Sequence, residues 1–306
     1  MTAESSVPSD AAIPEHIEHR IRSRDGRTLA VAEWGDPNGV PLFALHGTPG
    51  SRVAFWQDPT IYARHGLRRI TVDRPGYGES TRLRGRIVAD VVPDIVAIAD
   101  GLGIGSFAMT GGSGGGPHAL ACAALLPDRV LRCLADVCPA PFDAEGLGWL
   151  AGQVKGNVEE FEAALRGEAD IRKIAEGEAA AMLARFDSGD SDFLGGSYEM
   201  SDADRAQMAR HADRIAIQLR AGLSNGVDGW VDDDIAMTRP WGFDVADIKV
   251  PVLLSYGRRD ALVPAAHGDW LAAHIPHVLT RVNEDTGHLG DDEDVERDMA
   301  WLAGRS

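Results

Sequence analysis

From Ile17 onward the chain alternates between two hydrophobic rhythms. IEHRIRSR alternates apolar and polar positions, Asp25-Gly26 marks a turn, and TLAVAEWG follows as a second strand. VPLFALHG, LRRITV, SFAMTG, VLRCLADVC, VPVLLSYG and HVLTRV are short apolar runs that predict six more. Helical patterns separate them: Val53 to His65, Pro93 to Leu102 (Ile95, Val96, Ile98, Ala99 and Leu102 on one face), GGPHALACAALL, Ala265 to His274, and Asp294 to Ala303. Strands alternating with helices predict an α/β layer architecture with a mostly parallel sheet.

The rhythm breaks between Pro139 and Val245. That stretch is rich in Ala, Glu and Arg, carries helical patterns and predicts no strand. Ser201-Asp202-Ala203-Asp204 has the form of a helix-starting capping box with Asp in place of the usual Glu. A helical block set into an α/β sheet reads as a lid over the sheet. The expected organisation is a polar, disordered tail over 1–16, a core formed by 17–138 with 246–306, and a helical cap over 139–245. Gly222, Gly226 and Gly229 are candidate hinge points within it.

Composition narrows the possible partners. The 306 residues are 44% hydrophobic and 25% charged, which suits a globular chain with a sizeable core. Forty-seven acidic against 30 basic residues give a formal charge of −17, a field that repels nucleic acid and anionic lipid. The same charge also serves plain solubility. Three cysteines (Cys122, Cys133, Cys138) imply no disulfide framework and suggest a reducing compartment. MTAESSVPSDAAIPEH lacks the basic start and apolar run of a secretion signal, and no stretch approaches about 20 apolar residues, so a cytoplasmic location and no membrane partner are expected. No metal-ligand spacing occurs, and neither a metal nor a cofactor is expected.

One short stretch carries the chemistry. In FAMTGGSGGGPHAL (107–120), Ser113 interrupts a run of glycines. A linker would be flanked by polar residues, whereas this run joins an apolar strand to an apolar helix. A dinucleotide loop would need G-x-G-x-x-G, which is met only with Ala119 as the last member. Gly111-Gly112-Ser113-Gly114-Gly115 does satisfy G-x-S-x-G between strand and helix, the setting of a nucleophile elbow. There the serine takes a strained backbone conformation, and side chains two residues either side would collide with strand and helix.

A serine nucleophile needs a base, and the base an orienting carboxylate. His288 follows the last strand, and Asp260 lies three residues beyond Gly257. Asp136 and Asp285 are the competing carboxylates. His46 is expected to brace its loop and His118 to be packed. Backbone N–H donors for an oxyanion should come from Gly114 and from Thr48, because Pro49 has none.

HGTPGSR (46–52), DRPGYGES (73–80), GGSGGGPHAL (111–120), YGRRDALVP (256–264) and DTGHLG (285–290) together resemble the α/β-hydrolase family from about Ile17 to Gly304. The resemblance implies about eight strands, a cap inserted after the sixth, Ser113, Asp260 and His288 as the triad, and structural roles for Asp73, Arg74 and Tyr77. Relatives that dehalogenate or open epoxides carry aspartate at the elbow, so serine implies acyl chemistry. The first expectation is a serine hydrolase of small esters or lactones, acting on neutral or apolar acyl compounds. The second is an aminopeptidase or amidase, since HGTPG resembles the HGGPG loop of proline iminopeptidases. Those enzymes use cap carboxylates, for which Glu159, Glu160 and Glu162 qualify only by sign; the expected reading of the three is a solvated helix face. The third is a cofactor-free, non-hydrolytic use of the fold. Trp149, Trp230 and Trp241 are candidates for a pocket wall or for core.

Overall fold

The computed structural model describes residues 13–54, 60–190, 192, 194–195 and 198–305. The expected tail over residues 1–12 lies outside these. His16, at its end, stacks on Trp34 with ring centroids 4.4 Å apart.

Eight strands form one sheet: β1 (Ile17–Arg22), β2 (Thr28–Gly35), β3 (Val40–Leu45), β4 (Leu67–Val72), β5 (Phe107–Gly112), β6 (Val130–Asp136), β7 (Val252–Gly257) and β8 (Val278–Asn283). Their order is β1-β2-β4-β3-β5-β6-β7-β8. β2 runs antiparallel to both neighbours, and every pairing from β4 to β8 is parallel. The central strands are apolar on both faces because both faces are covered. Phe43, Ile70, Phe107, Met109, Cys133, Val252 and Leu254 belong to one core cluster. Their strand neighbours Leu42, Ala108, Leu134 and Leu253 belong to a second on the opposite face.

The first face is covered by α2 (Val91–Gly101), α3 (Gly116–Leu125) and α8 (Ala265–His274), the second by α1 (Thr60–Arg64) and α9 (Asp292–Leu302). α1 is shorter than the helix expected over Val53 to His65. Val53 and Ala54 lie in a turn closed by the Ala54 N–H to Ser51 C=O bond (3.3 Å), and residues 55–59 lie outside the described set. α3 is built of small residues and almost wholly buried, which lets it pack close against the sheet.

Between β6 and β7 lie α4 (Lys155–Arg166), α5 (Glu168–Ser188), α6 (Asp202–Gly222) and α7 (Asp228–Met237), with no strand among the described residues of 137–251. These helices share a core of their own, including Ile171, Met208, Ile215, Leu219 and Trp230, which Tyr77 of the sheet domain joins. One half of the capping motif forms as expected, Ser201 Oγ accepting the Asp204 N–H at 3.1 Å, while the Asp204 carboxylate accepts the Ser201 hydroxyl at 2.7 Å. Two of the candidate hinge glycines have a packing explanation instead. A Cβ on Gly222 would stand 2.1 Å from the Gly50 carbonyl oxygen, and one on Gly229 would strike the Tyr77 ring at 2.4 Å. All three cysteines are buried and unpaired. No helix among the described residues is long and apolar enough to cross a membrane.

Candidate active site

The loops following β3, β5, β7 and β8 leave the sheet at one edge, because the parallel strands end in register: Leu45 opposite Gly111, Gly112 opposite Asp136, and Gly257 opposite Asn283. Ser113 is the first residue past β5 and has φ +51°, a left-handed conformation that non-glycine residues rarely adopt. Holding it there costs on the order of 1–3 kcal/mol and requires the surroundings to fix the turn. The glycines allow this. A Cβ on Gly111 would lie 2.2 Å from the Gly115 carbonyl oxygen, and one on Gly115 would lie 2.4 Å from that of Leu45.

His288 Nδ1 lies 2.8 Å from Asp260 Oδ2. The other oxygen, Oδ1, accepts the backbone N–H groups of Leu262 (2.8 Å) and Val263 (2.9 Å), which fix the carboxylate. Burial pushes the His288 imidazole down, but the charge and hydrogen bond of Asp260, with Asp204 and Asp136 behind them, outweigh it and leave its pKa above the ordinary value. Asp285 instead pairs with Arg259 at the surface (2.8 Å). Asp136 is not the partner of His288 Nδ1, and burial pushes its carboxyl up to about 6.

The Gly47-Thr48 loop closes over Ser113, so that a Cβ on Gly47 would stand 3.5 Å from that of Ser113. His46 braces this loop as expected: Nδ1 reaches the Gly47 carbonyl oxygen at 2.8 Å, and Nε2 accepts the Arg74 N–H at 3.2 Å. Burial, reinforced by the Arg74 charge, keeps its pKa well below the usual histidine value. His118 is buried against the Gly114 carbonyl oxygen (2.9 Å), with a pKa lowered to about 3, chiefly by burial.

Two acids from the helical insertion hold the site loops, and sequence reasoning missed both roles. Asp204, expected only as a helix cap, accepts the Leu289 N–H at 2.7 Å and lies against Gly287, tying down the loop that carries His288. Asp233 of α7 is wholly buried. Its Oδ2 accepts from the Thr48 hydroxyl (2.7 Å), the Tyr77 hydroxyl (2.8 Å) and Arg74, while Oδ1 pairs with Arg86 (2.7 Å). Burial alone would raise its pKa, but the two guanidinium groups outweigh that and hold it well below the carboxylate range. Arg74 and Tyr77 thus have the structural role expected of them. So does Asp73, whose Oδ1 accepts the Arg52 N–H at 2.6 Å. Asp233→Asn leaves two buried guanidinium groups without their counter-charge, and should destabilise the fold by about 3–5 kcal/mol in chemical denaturation.

Ser113 stands where two cavities meet. The smaller, about 100 Å³, is lined by Thr48 and Gly114 and walled by Trp149 and Trp230. The larger, about 360 Å³, is lined by Ser113 and His288 and runs beneath α6. Trp241 belongs to the sheet core instead. Glu160 is no part of a solvated face: it is buried in the smaller cavity with Asp234, held by the Trp230 indole N–H and the Tyr198 hydroxyl (3.2 Å). Burial raises both carboxyl pKa values, and that of Asp234, further raised by the Glu160 charge, lies well above the usual range. Asp234 and Glu160 are hydrogen-bonded to one another. Glu159 is solvent-exposed and pairs with Lys155. Among the described residues no group of three or more His, Cys, Asp or Glu side chains is placed to hold a metal ion.

The profile of the alpha/beta hydrolase fold family matches residues 40–294, and the chain belongs to that family. It is 26% identical over 264 residues to a pimeloyl-[acyl-carrier protein] methyl ester esterase of Aromatoleum aromaticum, covering 82% of this chain and 92% of that one. It is 34% identical to a proline iminopeptidase of Xylella fastidiosa over 112 residues, which span only 34% of each chain. Among solved structures, the enol-lactonase from Burkholderia xenovorans shares the fold at a TM-score of 0.66 and 18% identity, covering 94% of this chain and 98% of that one.

Proposed function

We propose that the protein is a serine hydrolase of small-molecule carboxylic esters or lactones, with residues 139–245 serving as the cap over its site. The observation that carries this reading is Ser113, strained at φ +51°, sharing a cavity with a histidine whose Nδ1 is 2.8 Å from a carboxylate. Ser113 Oγ attacks the acyl carbon while His288 Nε2 takes its proton, and Asp260 stabilises the resulting imidazolium through Nδ1–H. The backbone N–H groups of Thr48 and Gly114 are the donors for the oxyanion. The C–O bond then breaks, His288 returns the proton to the leaving oxygen, and water releases the acid from Ser113. Relatives named as an esterase and a peptidase support hydrolysis as the class of reaction. A fluorophosphonate probe should label the wild type, and labelling should vanish in Ser113→Ala. Wild-type protein that neither labels nor cleaves a short nitrophenyl ester removes this reading.

The pH dependence follows from the base. Neutral His288 is the active form and its pKa is raised, so kcat/KM should fall as pH drops through a midpoint above the ordinary 6.5. Asp260→Asn removes the group that raises it, so the midpoint should move down while the rate falls about 10⁴-fold, the cost of losing the correct tautomer. Asp136→Asn should keep most of the rate. If Asp136→Asn instead proves the damaging change, the assignment of the acid is wrong.

A second reading, amide or aminopeptide hydrolysis by the same residues, is favoured by Glu160 and Asp234 in the smaller cavity. A substrate ammonium placed between them would favour ionisation of both carboxyls. Cleavage of proline naphthylamide with poor ester turnover, abolished in Glu160→Gln, would establish it over the first.

A further inference from the structure

The two cavities meeting at Ser113 differ in size and in which catalytic groups they touch. About 100 Å³ lies on the side of Gly114, closed by Trp149, Trp230 and the Glu160–Asp234 pair; Thr48 and Ser113 border both cavities, and His288 does not line this one. About 360 Å³ lies on the side of His288, extending under α6 along Met200, Met208, Ile215, Leu219 and Leu289. On the serine-hydrolase reading, which this inference presupposes, the chemistry assigns the two halves of the substrate. As the Ser113 Oγ–C bond forms, the proton from Oγ passes to His288 Nε2. When the C–O bond breaks, that proton goes to the leaving oxygen, so the leaving group must lie beside His288. The acyl group stays on Ser113, on the opposite side.

We infer that the smaller cavity receives the acyl group and the larger the leaving group, so that the protein selects esters of compact acids with bulky, apolar alcohols. The acyl cavity is closed by two indoles and a hydrogen-bonded carboxyl pair, so it cannot lengthen without moving buried groups. The lining of the alcohol cavity is mixed, with Gln207, His211 and Gln218 among it, but its apolar stretch along Met208, Ile215 and Leu219 can absorb added methylenes, each worth up to about fourfold in kcat/KM where it is fully buried.

The test is a two-way series of esters with purified protein: acetates of ethyl to octyl alcohols, and ethyl esters of acetic to octanoic acids. The expected result is a kcat/KM that rises at least tenfold along the alcohol series and falls at least tenfold along the acyl series. Met208→Trp, which fills the larger cavity, should flatten the alcohol series and leave the order within the acyl series as it is. If that variant does not fold, the wild-type series alone decides. A rise with acyl length and a fall with alcohol length, or no dependence on either, overturns the assignment while ester hydrolysis and Ser113 labelling stand. No turnover of any ester together with no fluorophosphonate labelling overturns the hydrolase reading, and this inference with it.

Discussion

Ser113→Ala is expected to lower kcat by about 10⁶-fold on any ester the wild type hydrolyses, with the melting midpoint unchanged. The change deletes one oxygen atom. Alanine meets the same backbone demand at φ +51° as serine, and the frame that enforces that angle is built from neighbouring residues rather than from the hydroxyl. A residual rate of about 10³–10⁴ over water should survive from the oxyanion donors and substrate positioning. The loss should exceed the roughly 10⁴-fold loss of Asp260→Asn, because in the proposed mechanism the carboxylate only orients and stabilises the base whereas the serine forms the bond. Steady-state assay of both variants beside their melting curves checks the order. A Ser113→Ala protein that is folded and retains more than a tenth of the activity would remove the serine from the mechanism.

Gly115→Val should be nearly as damaging, by a different route. A Cβ at that position would sit 2.4 Å from the Leu45 carbonyl oxygen and 2.6 Å from that of His46, both backbone atoms where central strand β3 meets its loop. Neither can yield without pulling β3 away from β4 and β5. The expected cost is on the order of 4 kcal/mol or more, enough to leave the protein largely unfolded or insoluble. Gly111→Val meets the Gly115 carbonyl oxygen at 2.2 Å and the Ala119 side chain at 3.0 Å, and should behave alike. The control is Gly112→Ala. Gly112 has an ordinary extended conformation, and its Cβ would have nothing nearer than the Asp136 carbonyl oxygen at 4.0 Å. It should fold, with a melting midpoint within a few degrees of wild type. Equal tolerance of all three would mean that the glycines do not frame the elbow.

The sheet was legible because its strands are nearly continuous apolar runs bounded by turn residues, and burial on both faces makes such runs unambiguous. The places of Ser113, Asp260 and His288 in the fold were legible because local context marks them: a serine among glycines between strand and helix, an aspartate and a histidine each just past a strand. The support from the helical insertion was not. In GWVDDDIAM nothing local marks the three consecutive aspartates as interior, yet all three are buried. Asp232 meets Arg82 (2.8 Å), Asp233 meets Arg74 and Arg86, and Asp234 meets Glu160. Those arginines lie about 150 positions away, and only the packing of α7 onto the DRPGYGES turn brings the charges together. The signal that could have found them was compositional: an acidic run in a helix that is otherwise mostly apolar, and arginines at 74, 82 and 86 within and just after the DRPGYGES turn. Glu160 was misjudged for the same reason, since its charged neighbours Glu159 and Glu162 suggest solvent while the α4–α5–α7 packing turns Glu160 inward.

The central claim is that Ser113 becomes acylated. Reaction with a short nitrophenyl ester, quenched in acid within the first turnovers and followed by peptide mass spectrometry, tests it most directly. The expected result is one acyl group on the peptide containing Ser113, appearing with the burst of nitrophenol and absent in Ser113→Ala. Turnover with no adduct on Ser113, or an adduct on another residue, would contradict it.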